Sequence, residues 1–318
     1  MCPELRPANL VNQMALRKFI FWLSTKKAFT DPIGRTGMRL GFARRFVAGE
    51  TLEDGLRVAA ELNAKGLLVN MNQLGENVSD RREAEASCES YLEILRQLAA
   101  RKIRGSTSIK PTQLGLDFSP ALCQELTERI VREAAALNNF VEIDMEASAY
   151  TEATVALFEA VRRKHSNVGL AVQSYLYRTE KDLQRLRPLR PKIRLVKGAY
   201  LEPASIAFPH KRQVDENYRK LMKCLFSDNG FTPAIATHDP ALIEEAKRVV
   251  RQRGIGTDRW EFQMILGVQR DLQVQLAREG YRMRVYIPFG SHWLPYFLRR
   301  LAERPANLFF ILRSLLRG

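Results

Sequence analysis

The 318-residue chain has little that would staple it, anchor it or bind it to a metal. Its four cysteines, Cys2, Cys88, Cys123 and Cys224, are scattered and form no C-x-x-C pair, so neither a disulfide framework nor a zinc site is indicated. Long apolar runs are also missing. The longest, Phe19–Leu23 and Leu308–Leu312, fall far short of the roughly 20 residues a membrane span needs. No secretory leader is evident, and a reducing, cytoplasmic location is the expectation. The chain has no G-x-G-x-x-G, no phosphate-binding P-loop, no G-x-S-x-G and no H-E-x-x-H, which removes the commonest dinucleotide, nucleotide, serine-hydrolase and metalloprotease readings. Acidic residues are in deficit, 35 against 50 basic ones, leaving a net charge of +15. Such a balance suits nucleic acid, an anionic membrane or an acidic small molecule. The basic residues are dispersed, however, and often sit beside acids, as in Arg81-Arg82-Glu83. With no recognition helix or RNA-binding motif, the charge reads as a solvated surface, with no nucleic-acid partner. The composition carries no signature of an oligomeric state.

What is present is cadence. From residue 66, short apolar or β-branched runs alternate with longer amphipathic, charged segments. The expected strands are Gly66–Met71, Ser106–Lys110, Phe140–Met145, Gly169–Tyr175, Lys192–Lys197, Thr232–Thr237, Trp260–Leu266 and Met283–Ile287. Helical patterns lie between them, Arg81–Ala100 and Pro240–Arg253 being the clearest. Eight strands, each followed by a helix, is the rhythm of an α/β protein of the (β/α)8 TIM-like class. A doubly wound sheet is the alternative, but nothing marks its edge or switch point. Residues 1–62 read as an N-terminal helical arm, with Leu10, Met14, Phe19 and Leu23 at near-helical spacing and a capping box at Thr51 and Asp54. Residues 63–318 read as the barrel with its C-terminal helices.

Active sites of such barrels lie at the C-terminal ends of the strands. Lys110, Asp144, Glu146, Gln173, Arg194, Lys197, Tyr200, Thr237, His238, Gln263 and Tyr286 fall at or within the expected strand ends. Buried polar groups are costly unless partnered, so this set is either a site or a collection of satisfied pairs. Glu146 reads equally as a helix cap, Gln263 as a group satisfied inside the barrel and Tyr286 as core. His165 and His210 look like loop residues and His292 like surface, which leaves His238 as the histidine of interest. In the last helix, Tyr296, Arg299, Arg300 and Glu303 share one face. Alone they are a solvated basic face; beside a barrel mouth, two adjacent guanidinium groups suit a carboxylate or phosphate.

The ordered strings Ser108-Ile109-Lys110-Pro111, Ile143-Asp144-Met145-Glu146, Val172-Gln173-Ser174-Tyr175-Leu176, Arg194-Leu195-Val196-Lys197-Gly198-Ala199-Tyr200, Ala236-Thr237-His238, Glu261-Phe262-Gln263-Met264 and Tyr296-x-x-Arg299-Arg300-x-x-Glu303 resemble proline dehydrogenase, in particular the short monofunctional bacterial type. The resemblance implies a distorted (β/α)8 barrel with non-covalent FAD that oxidises L-proline to Δ1-pyrroline-5-carboxylate and passes the electrons to a quinone. Arg299, Arg300 and Lys110 would bind the proline carboxylate, while Tyr286, Tyr296 and Leu195 wall its ring with Tyr200 close by. Arg194 would lie at the flavin edge that takes the hydride, with Asp144 orienting it or Lys110. Gln173 would bond the isoalloxazine, and Met145, Val196, Lys197, Gly198, Thr237, His238 and Gln263 would hold the remainder of the cofactor. Two departures stand out: Asp239 replaces an Asn common after Thr-His, and Ile265-Leu266-Gly267-Val268-Gln269 replaces a segment that commonly carries an aromatic residue and a cation. A quinone acceptor also raises peripheral membrane contact, for which Lys18 to Lys27 around Phe19–Trp22 and the apolar stretch Leu308–Leu316 have the composition. Two rival readings are open: an aldolase-type lyase using Lys110 or Lys197 for a Schiff base, and a basic nucleic-acid binder.

Overall fold

The computed structural model describes residues 45–75, 77–227, 229–294 and 296. Its centre is a closed barrel of eight parallel strands in sequential order. These are β1 (Leu68–Gln73), β2 (Gly105–Ile109), β3 (Val141–Ile143), β4 (Val168–Gln173), β5 (Lys192–Val196), β6 (Thr232–Ala236), β7 (Glu261–Ile265) and β8 (Met283–Phe289). The helices are α1 (Leu52–Ala64), α2 (Arg81–Ala100), α3 (Pro120–Ala136), α4 (Thr151–Arg162), α5 (Thr179–Leu186), α6 (Lys211–Leu225), α7 (Pro240–Gln252) and α8 (Arg270–Arg278). Every expected strand lies within two residues of an observed one. The strand that differs most in length is β3, where only Val141–Ile143 is regular, although Asp144 N still donates to Ile109 O at 2.9 Å.

Each strand alternates its side chains between two environments. One face carries Val69, Met71, Ile109, Val141, Ile143, Ile193, Leu195, Ile235, Phe262, Met264, Val285 and Ile287, all buried against the helix layer. Full burial of one such side chain stabilises the fold by roughly 1.5–3 kcal/mol. The helices meet them with residues at helical spacing, such as Cys88, Tyr91, Leu92, Leu95 and Leu98 of α2. The opposite set of side chains fills the barrel interior.

Helix α1 opens with the expected capping box: Thr51 Oγ1 accepts from Asp54 N at 3.1 Å, and the Asp54 carboxylate accepts from Thr51 N at 3.2 Å. It packs against both β1 and β8, filling the ring position that usually belongs to the helix after the last strand. Gly55 makes this approach feasible, because a Cβ there would lie 2.6 Å from Met71 Cε and 3.2 Å from the Phe289 ring. Beyond β8 the chain runs on through Trp293, Leu294 and Tyr296, which are helical and buried. Among the described residues, no helix is long and apolar enough to cross a membrane. Residues 1–44, which make up most of the expected arm, and the segments 18–27 and 308–316 considered for membrane contact lie outside the described residues.

Candidate active site

The barrel interior is built from polar residues two apart on one strand after another. They are Asn70 and Asn72 on β1, Ser106 and Ser108 on β2 followed by Lys110, Glu142 on β3 followed by Asp144, Lys192 and Arg194 on β5, Glu261 and Gln263 on β7, and Arg284 and Tyr286 on β8. The small residues Gly169 and Ala171 on β4 and Ala234 on β6 stand in register with β5 and leave room for these long side chains. In the lower half, Glu261 takes a two-pronged contact from Arg284 at 2.7 and 3.0 Å and a third from Lys192 at 2.8 Å. Burial opposes ionisation of Glu261, but Arg284 and Lys192 outweigh it and hold the group well below the ordinary carboxylate range.

Toward the mouth, Asp144 gathers three groups. Its Oδ1 accepts from Arg194 Nη1 at 2.6 Å, and its Oδ2 accepts from the Tyr286 hydroxyl at 2.9 Å and from Lys110 Nζ at 3.3 Å. Asp144 was expected to orient Arg194 or Lys110; it contacts both. Lys110 also donates to Asn72 Oδ1 at 2.6 Å, so two of its three N–H donors are accounted for among the described residues. Arg194 is held on every side, with Nε on Gln263 Oε1 at 2.6 Å, Nη2 on Ser108 Oγ at 3.0 Å, and Nη2 also against the Glu142 carboxylate. Burial draws the Arg194 guanidinium down to about 10, which leaves it charged at neutral pH. Its charged carbon lies 5.5 Å from the Tyr286 ring centre. Burial and then the neighbouring Asp144 push the Tyr286 hydroxyl well above its ordinary value, so it acts there as a donor.

The ends of β4, β5 and β6 form the other side of the mouth. Gln173 is buried and donates weakly to the Met145 and Glu146 carbonyls at 3.4 and 3.3 Å. Lys197 is clamped between Asp215 at 2.5 Å and Asp239 at 3.1 Å. Gly198 has φ +118°, and a Cβ on it would lie 2.3 Å from the Tyr175 ring, so only glycine suits this turn. Thr237 is buried and accepts from Asp239 N at 3.1 Å. His238 Nε2 accepts from Ile265 N at 2.9 Å, which places the proton of the neutral ring on Nδ1. Met145 is buried, and Val196 and Tyr200 are half-buried at the same strand ends.

Several expected roles are changed by this geometry. Both amide groups of Gln263 are engaged inside the barrel: Oε1 accepts from Arg194, and Nε2 donates to Glu142 at 3.1 Å and Glu261 at 2.7 Å. Gln263, expected as a cofactor ligand, is placed by these contacts as a holder of Arg194. Leu195 is fully buried and alternates with Arg194, which puts it on the opposite face of β5, apart from the interior cluster and the substrate ring it was expected to wall. Glu146 accepts from Thr112 N at 3.0 Å and Oγ1 at 2.6 Å, so it caps the short turn Pro111–Leu114. Tyr296 is buried, and it adds to the causes that raise the Tyr286 hydroxyl. Arg299, Arg300 and Glu303 lie outside the described residues. Sequence reasoning overlooked Asn72, Glu142, Lys192, Glu261 and Arg284. The signal was the spacing of two in Glu142-x-Asp144, Lys192-x-Arg194, Glu261-x-Gln263 and Arg284-x-Tyr286.

Among the described residues, the buried polar atoms without a hydrogen-bond partner include Gln173 Oε1 and Asn72 Nδ2, both at the mouth. A buried acceptor and a buried donor left open beside two cations suit a ligand with polar edges and negative charge. A family model described as proline dehydrogenase matches residues 56–313. The chain belongs to the proline dehydrogenase family. It is 38% identical over 302 residues to proline dehydrogenase 1 of Bacillus subtilis, covering 95% of this chain and 99% of that one. To the proline dehydrogenase of Deinococcus radiodurans it is 39% identical over 281 residues, covering 87% and 90%. In fold it resembles proline utilization A from Bdellovibrio bacteriovorus inactivated by N-propargylglycine, with a TM-score of 0.79 at 21% identity. That likeness covers 91% of this chain but only 36% of the larger protein. Membership makes this proline dehydrogenase relative an oxidoreductase of proline catabolism.

Proposed function

We propose that the chain oxidises L-proline to Δ1-pyrroline-5-carboxylate with non-covalently bound FAD and that a quinone takes the electrons onward. The observation that carries this reading is the Asp144 cluster, which brings Lys110, Arg194 and Tyr286 to one point at the mouth. Lys110, with one N–H donor not taken by Asn72 or Asp144, binds the substrate carboxylate together with Arg299 and Arg300. Tyr286, Tyr296 and Tyr200 flank the ring. Arg194 keeps a fixed positive charge where negative charge develops, and because its contacts are made beforehand, no reorganisation is needed during the reaction. Gln173 Oε1 accepts from a polar N–H edge of the isoalloxazine. Met145, Val196, Lys197, Gly198, Thr237 and His238 hold the rest of the cofactor. When bound, FAD supplies the two-electron acceptor for the hydride that leaves the carbon next to the ring nitrogen. A Schiff-base lyase is less well supported, because Lys197 lies between two carboxylates and Lys110 beside a third, which suits fixed charges better than a nucleophilic amine.

The purified protein is expected to be yellow and to release its flavin into the supernatant on acid precipitation. A colourless protein that FAD does not reconstitute, or one inactivated by borohydride only with substrate present, would defeat this reading. Arg299→Met and Arg300→Met are each expected to raise KM for proline about ten- to a hundredfold with FAD content retained, the loss of one charge-assisted contact. Steady-state kinetics on the two variants checks this, and a wild-type KM in both would remove the pair from the site.

Asp239 gives a prediction particular to this chain. Its Oδ1 caps α7 through Ala241 N at 3.1 Å, and its Oδ2 faces Lys197. A carboxylate there neutralises both the helix terminus and the lysine, the two features that attract phosphate. Asp239→Asn keeps the cap and removes the charge. It is expected to tighten FAD binding about tenfold, as measured by titrating the flavin-free protein. Unchanged or weaker affinity would show that Lys197 does not meet the cofactor phosphates.

A further inference from the structure

The interior network has a lower half that the proposed chemistry leaves unused. Lys192 enters it from the start of β5, its side chain 12% exposed, and lies 3.0 Å from Glu142 and 2.8 Å from Glu261. The Phe140 ring covers the ammonium at 4.9 Å. Arg284 and, further out, Arg282 face the same Glu261 carboxylate, at 2.7 and 3.8 Å. The strand neighbours in register with Lys192, Gly169 and Thr232, bring no charge. Glu142 gives one oxygen to Lys192 and the other to Arg194 Nη2. Gln263 makes a second link, binding Arg194 Nε through Oε1 and both carboxylates through Nε2. A change of charge at Lys192 therefore reaches Arg194 through one carboxylate and one amide in a medium that screens poorly.

We propose that Lys192 is a positioning residue for the reaction, holding Glu142 and Glu261 from below and so setting the direction and effective charge of the Arg194 guanidinium at the mouth. The inference rests on the proposed function, in which Arg194 faces the developing negative charge. With Lys192 protonated, Glu142 is shared between two cations and neutralises Arg194 only in part. With Lys192 neutral, Glu142 belongs to Arg194 alone and the mouth loses positive potential. Burial draws the Lys192 ammonium down to about 8, against the pull of Glu261 and helped by Arg284 and Arg282. The change thus falls within reach of an ordinary assay, and its sign is fixed: positive potential is present below that pH and lost above it.

The experiment compares wild type, Lys192→Arg and Lys192→Met, each with its flavin. Flavin reduction by saturating proline is followed anaerobically by stopped flow from pH 7 to 9.5, and the flavin midpoint potential is measured at pH 7. The substrate amine titrates alike in all three proteins, so the ratio of variant to wild-type rates isolates Lys192. For Lys192→Arg the ratio is expected near unity at pH 7 and to rise about tenfold by pH 9.5, because a guanidinium keeps its charge there. Lys192→Met is expected to shift the potential negative and slow reduction at pH 7 while KM for proline stays near wild type. A flat Lys192→Arg ratio in an active, flavin-bearing background overturns the inference alone, and if Lys192→Met does not fold that ratio decides it. A wild-type chain with neither flavin nor proline oxidation overturns this inference together with the functional reading.

Discussion

Asp144→Asn is expected to lower kcat/KM for proline about a hundredfold, equivalent to ~2.7 kcal/mol of lost transition-state stabilisation. The side chain keeps its size, so the change is one of charge and hydrogen-bond direction. One carboxylate now serves Arg194 at 2.6 Å, Tyr286 at 2.9 Å and Lys110 at 3.3 Å. An amide accepts through one atom only, and its NH2 would face donors that have nothing to give it but repulsion. Arg194 retains Glu142, Gln263 and Ser108, whereas Lys110 and Tyr286 lose the one anionic partner they have among the described residues, so the effect should appear in both kcat and KM. Steady-state kinetics with FAD content and circular dichroism as controls makes the measurement. A folded, flavin-loaded variant with wild-type kcat/KM would show that the Asp144 cluster is structural and that the site lies elsewhere.

The largest effect on stability is expected from Glu261→Gln. Glu261 is 3% exposed and answers Arg284, Lys192 and Gln263 together. Removing its charge leaves two cations in the barrel interior with Glu142 as the nearest remaining carboxylate, and breaking a buried pair in this way costs about 3–5 kcal/mol. The urea midpoint at pH 7 should fall accordingly. The pH dependence has a definite sign. Because the folded-state pKa is depressed by Arg284 and Lys192, the stability Glu261 contributes is fully present above its unfolded value and is lost as the pH falls through the folded one. The gap between wild type and variant should therefore be widest at neutral pH and narrow in acid. A gap that is constant from pH 7 down to acid denaturation would mean that Glu261 stabilises by shape and not by charge.

The fold was legible because each strand carries an apolar face that must reach the helix layer, as in Ile193 and Leu195 or Val285 and Ile287, and because each helix keeps its own period. The site was legible only in part. Attention to strand ends located Lys110, Asp144, Gln173 and Tyr286, but that rule says nothing about depth. Lys192, Glu142, Glu261 and Arg284 lie lower in the barrel, where one expects branched aliphatic residues. In sequence they look like breaks in apolar runs. Only the register between strands shows that four such breaks meet at one level and neutralise each other. The contacts of Gln263 were hidden for the same reason: its neighbours Glu142 and Arg194 are 121 and 69 residues away. The turn capped by Glu146 and the opposite-face position of Leu195 likewise depend on the strand geometry, not on residue type.

The position of α1 has a consequence for how the chain comes together during synthesis. This helix emerges first among the described elements, yet around Gly55 it meets Phe289 at the end of the last strand as well as Met71 of the first. The seam is also stitched by backbone bonds across the whole chain, Ala48 N to Pro288 O and Gly290 N to Gly49 O, both at 2.9 Å. Contacts of such long sequence separation form late and slowly. The part of its apolar face that β8 covers must wait until more than 200 later residues have left the ribosome. Ring closure and helix docking thus become one event, and the barrel gains its full cooperativity only when its two ends meet.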